Sequence, residues 1–161
     1  MFLYVLGVVI AGAAVHIGLL KDRTRERIGE IGLLWVLVGY CGVPILAVSL
    51  LSLVHPHEVA HWLGLPPGSP FQTFISVANL AMAVIALLSL RYRGTYLIGP
   101  AVVWAVFFGG ATFIHLAQGI HGGGSHDGGH AAALVIFATH GLISVLLLVG
   151  LAASGVWRRR G

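Results

Sequence analysis

His57, Glu58, Val59, Ala60 and His61 spell the pattern HExxH. On a helix, two histidines four residues apart project from one face and can hold a zinc ion through their ring nitrogens. The glutamate between them is then placed to act as general base on a metal-bound water, the chemistry of peptide-bond hydrolysis. Pro56 suits the first position of a short helix over this stretch and Gly64 suits its stop. A third ligand is needed, and His115, His121, His126, Asp127 and His130 are the candidates further along the chain.

A looser metal reading uses the same residues without catalysis. His55, His57, His61, His121, His126 and His130, with Glu58 and Asp127, fall in two connections that contain no Lys or Arg. Imidazole suits zinc and copper, so the expected cofactor is one of these metals, with His57, His61, His121, His126 and His130 as its ligands. On this reading no residue is catalytic. Glu58 becomes the catalytic base only in the alternative, a membrane-embedded HExxH zinc metalloprotease. A further alternative is haem, which needs two ring nitrogens meeting across one macrocycle at matching depth.

The elements that position these residues follow from composition. The chain has 161 residues, 58% of them hydrophobic and 9% charged, with a mean hydropathy of +0.96. A soluble domain of this size cannot hide so much apolar surface. All nine Lys and Arg lie in three clusters, Lys21 to Arg27, Arg91 with Arg93, and Arg158 to Arg160. They cap apolar runs and form no stripe with interleaved aromatics, so nucleic acid is excluded as a partner.

Five apolar runs each reach the roughly 20 residues a helix needs to cross a bilayer. They cover 2–20, 31–54, 70–90, 95–118 and 131–153. Backbone groups in lipid must bond internally and no alternating short strands are visible, so the expected fold is all-α, one transmembrane helix bundle over 1–161. The first run lacks a basic leader and reads as a retained helix, not a signal peptide. Basic clusters are held inside during insertion, which places the N-terminus outside, the C-terminus in the cytoplasm, and connections 55–69 and 119–130 outside. The expected location is a bacterial inner membrane, multi-pass. Pro44 and Pro100 fall inside expected helices, where the first should kink its helix and the second should mark an opening turn.

Polar residues inside the spans are costly in lipid and tend to face a partner or cavity. They are His16, Asn79, His115, Gln118 and His140. Counting rise along each helix places Asn79 and His140 both about 14 Å from the outer surface, at hydrogen-bonding depth; His115 lies about 5 Å and His16 about 21 Å from it. Cys41 lies in an apolar run and has no second cysteine to pair with.

Val59 and Ala60, the run Trp62, Leu63, Gly64 and Leu65, then Ser69, Pro70, Phe71 and Gln72, followed by Ala78, Asn79 and Leu80, carry a resemblance. The stretch resembles an uncharacterised family of small bacterial and archaeal integral membrane proteins marked by an SPFQ segment and a downstream ANL. The resemblance implies a membrane location and no mechanism, and members of that family do not generally carry HExxH here. In physical terms Ser69 can cap the third span, Pro70 can open it, and Gln72 can satisfy backbone groups at its boundary. The expected function is a non-catalytic accessory subunit that packs on other membrane proteins, with the lipid bilayer as its solvent and a histidine-rich outer face open to a transition metal. Insertion alone accounts for the basic side.

Overall fold

The computed structural model describes residues 2–63, 70–120 and 129–159. Every regular element among them is helical. In order these are α1 (Phe2–Gly18), α2 (Arg25–Trp35), a π-helical segment (Val36–Gly42), α3 (Val43–Val54), α4 (Pro56–Leu63), α5 (Pro70–Leu88), a 3-10 turn (Gly94–Leu97), α6 (Ile98–Ile120), α7 (Gly129–Ala153) and a closing 3-10 turn (Val156–Arg159). Three stretches, Arg25–Val54, Pro70–Leu88 and Gly94–Ile114, are long and apolar enough to cross a membrane; Leu3–Gly18 and Ala138–Ala153 are shorter apolar helices. The chain is thus a helical protein of membrane character.

α2 starts six residues before the apolar run that announces it. Thr24 is extended and its side chain accepts from the Arg27 backbone N–H at 3.3 Å, so a capped and charged first turn, including Glu26, precedes the hydrophobic stretch. The cap satisfies one of the N–H groups a helix start leaves without a partner. α4 and α5 open on Pro56 and Pro70, where the missing N–H costs nothing. Pro100 falls in the first turn of α6, as expected.

Pro44 is the second residue of α3, which begins where the π-helical segment ends. A proline ring inside a helix clashes with the carbonyl four residues back and donates no hydrogen bond. The wider π turns relieve this: the Val43 N–H reaches the Val38 carbonyl, five residues back. One continuous rod from Arg25 to Val54 therefore carries a change of winding at its middle.

The core lies around that segment. Leu33, Leu37, Tyr40, Cys41, Leu97, Trp104, Phe108, Ile143 and Leu147 are buried together. Trp104 stacks on Phe108 at 5.2 Å, and Tyr40 meets Phe108 edge-on at 5.9 Å. Helices approach closely at glycines: a Cβ on Gly29 would fall 2.6 Å from the backbone of Ala153 and Ser154, and one on Gly150 3.2 Å from Leu33. Small residues let backbones meet where lipid gives little hydrophobic drive for association.

α7 packs against α6 and α2, α5 against α3 and the π segment, and α1 against α2 and the π segment. Arg27 and Arg93 border one polar cleft, and the 3-10 turns beside Arg93 and Arg158 touch. The three basic clusters therefore share one end of the bundle.

Candidate functional site

α4 forms where the HExxH pattern predicts a helix, with His57 and His61 both exposed and one turn apart. Glu58 is also exposed, and its Oε1 lies 3.9 Å from Nδ1 of His55, the residue that ends α3. The carboxylate thus points back toward a neighbouring imidazole on the surface. Among the described residues no three His, Cys, Asp or Glu side chains come together as a metal site. His121 and His126 lie outside the described residues. So do the side chains of His115 and His130, although both positions are on helices, α6 and α7.

The polar residues of the span interiors are placed differently from the expectation. His140 packs on the Phe108 ring at 5.1 Å. Asn79 is on α5, and its buried Oδ1 has no hydrogen-bond partner, so this oxygen accepts no bond from His140. The main packing partners differ: α7 lies chiefly on α6 and α2, whereas α5 lies chiefly on α3 and the π segment, so equal depth alone does not pair the two side chains.

Asn79 instead belongs to a polar seam between α3 and α5. Gln72, Ser76 and Asn79 recur at helical spacing on α5, and Gln72 and Ser76 are buried, as are Ser49 and Ser52 on α3. Gln72 Nε2 donates to the Pro56 carbonyl at 2.7 Å and toward Ser52 Oγ at 3.4 Å. The Pro56 carbonyl sits at the junction of α3 and α4. Gln72 thus pins α4, and with it the histidine pair, to the top of α5. Ser69 lies outside the described residues.

At the basic end the structure brings together groups that spacing alone did not connect. The Trp35 indole N–H donates to Nδ1 of His16 at 3.2 Å, joining α1 to α2. His16 then borders a polar cleft of about 480 Å³ with Asp22, Glu26, Arg27, Glu30 and Arg93. Beside it, a second cleft of about 630 Å³ runs between α1 and α7 with α2 as its floor; its walls are apolar apart from Arg23 and Arg25. The sequence signal for this end was present in the small residues Ala13, Ala14, Gly29 and Gly32 next to a basic cluster. Reading the cluster only as an insertion signal passed over it.

Arranged this way, the chain offers two kinds of chemistry. Its exposed histidine helix can ligate a soft or borderline metal ion through two ring nitrogens. Its basic end presents charge beside apolar space, which favours amphipathic anions. No curated protein and no solved structure matches the chain. A family model does match, over residues 1–157, and by that match the chain belongs to a family of unknown function, DUF6790.

Proposed function

We propose that this protein is a non-catalytic accessory subunit of a bacterial inner membrane, crossing it five times with its N-terminus outside and its C-terminus in the cytoplasm, and packing on other membrane proteins. The observation that carries the reading is the use made of polar side chains inside the apolar helices: they tie helix to helix. Gln72 bonds to Pro56, Trp104 Nε1 to the Met82 carbonyl at 3.3 Å, and Ser144 Oγ to the Ala105 carbonyl at 2.9 Å. Such bonds fix a packing arrangement. Meanwhile 22% of the α5 stretch is buried, and Phe71, Phe74 and Val77 face outward. That face is available to lipid and to a neighbouring subunit.

The outer histidines add a metal to this reading. His57 and His61 supply two ligands for zinc or copper, and further ligands come from elsewhere on the outer face or from the partner.

The test is photo-crosslinking in native membranes from a photo-reactive residue replacing Phe74, followed by mass spectrometry. A single recurrent protein adduct supports the subunit reading; adducts to lipid alone overturn it.

A further inference from the structure

α1 leans on α2 and the π segment, α7 leans on α2 and α6, and a cleft is left where the two outer helices diverge. Ile10, Ala13 and Ile17 of α1 form one wall and Leu146, Val149 and Ala153 of α7 the other. Gly29 and Gly32 of α2 lie along the floor, and Gly32 has open space above it, since a Cβ there would meet nothing within 4 Å. The volume, about 630 Å³, falls within the range of small-molecule sites.

Two features identify the occupant. The first is length. The floor runs from Arg25 to Val36, eleven helical steps or about 16 Å, and one leaflet of a bilayer has a hydrocarbon depth of about 15 Å. The second is charge. Among the described residues, the only charged ones on the lining are Arg23 and Arg25, both at the basic end, where the apolar helices give way to the charged connection. Arg23 donates through Nη2 to the Gly18 carbonyl at the end of α1, which holds the guanidinium at the cleft mouth. Its remaining N–H donors are left for an anion.

We propose that this cleft is a site for one anionic glycerophospholipid, an acyl chain lying along Gly29 and Gly32 and the headgroup phosphate held by Arg23 and Arg25. The site rests on the membrane location of the chain but not on its being an accessory subunit. An apolar groove one leaflet deep with paired guanidiniums at its polar end matches a lipid in both dimension and charge.

The test is native mass spectrometry of the full chain released from vesicles of equal phosphatidylglycerol and phosphatidylcholine. One phosphatidylglycerol per protein is expected to stay bound in preference to phosphatidylcholine. The R23Q/R25Q double variant should lose phosphatidylglycerol retention by roughly ten- to thirty-fold, with phosphatidylcholine unchanged. R158Q, which removes a basic residue away from the cleft, should change nothing. G32L, placed in open space and so compatible with folding, should lower retention of both lipids. Equal retention of the two lipids by the unaltered protein overturns the site, as does indifference of phosphatidylglycerol to the arginine pair. Displacement of the lipid by soluble glycerol phosphate also overturns it, by showing a free phosphoester ligand. A crosslink between Ala13 of two copies would show that a second copy fills the cleft, with the same result. None of these outcomes bears on the Phe74 crosslinks, so the two proposals stand or fall separately.

Discussion

The Trp35 indole N–H donates to Nδ1 of His16 at 3.2 Å, and the same ring lies over Gly12 so closely that a Cβ there would fall 2.5 Å from it. One aromatic side chain thus supplies both a hydrogen bond and a close ring contact to α1.

W35F removes the donor and also the outer ring atoms nearest Gly12, so it should cost about 1–3 kcal/mol. G12V forces the indole aside and loses both, for about 1–3 kcal/mol. Unfolding in mixed micelles by SDS titration measures each. Equal stability of G12V and the unaltered protein would show that α1 is not held through this ring.

Gly29 and Gly32 are one turn apart on α2 and should respond oppositely to alanine. A methyl group on Gly29 meets the backbone of α7, which cannot give way, while one on Gly32 meets open space. G29A should destabilise by about 3 kcal/mol or more, and G32A should be neutral or stabilise by up to about 1 kcal/mol. The pair can be read by thermal melting in one detergent.

Removing the Gln72 side chain leaves the Pro56 carbonyl without its donor. Q72A should cost about 1–2 kcal/mol, and T73A, on the exposed side of α5, should stay within about 0.5 kcal/mol. Because Gln72 anchors α4 through Pro56, proteolysis within α4 should also accelerate in Q72A and not in T73A.

If the outer histidines hold zinc or copper, elemental analysis of purified protein should find one metal per chain, lost in the H57A/H61A double variant. E58Q should retain it. An unchanged metal content in the double variant removes His57 and His61 as ligands. Loss of peptide hydrolysis in E58Q, with metal still bound, would instead establish the protease alternative.

Topology is open to cysteine labelling once Cys41 is replaced. Cys41 is fully buried, so C41A should cost about 1 kcal/mol and leave the fold intact. A cysteine at Ser125 should react with an impermeant maleimide added outside intact cells, and one at Arg158 should not. The reverse pattern would invert the proposed orientation.

Helix positions were legible because span length and apolar composition are local properties. Pro56 and Pro70 each open a helix, and Pro100 falls in the first turn of one, where their chemistry allows. The start of α2 at Arg25 was less legible, because its first turn is charged and only the Thr24 cap marks it. Which helices touch was not legible. Asn79 and His140 share a depth in the sequence count, yet α5 packs chiefly on α3 and α7 chiefly on α6, and depth carries no information about azimuth around a bundle. The apolar cleft at the basic end was hidden for a related reason: it lies between α1 and α7, helices separated by most of the chain. The histidine pair on α4 lay the other way, a four-residue spacing that needed only a helix to become a face.

Changing the winding in the middle of a rod changes which way its far half looks. Because the π segment holds more residues per turn than the α-helices beside it, the side chains after Val43 are rotated relative to a uniform helix. The lower half of the rod can therefore address α1 and α7 while the upper half turns Ser49 and Ser52 toward α5. Deleting one residue from Val36–Gly42 would swing the upper half by about 100°, carrying Ser52 off Gln72 and both serines away from their buried positions. Register in this segment is thus a single-residue selector of helix partners, and chain length there should tolerate substitution far better than insertion or deletion.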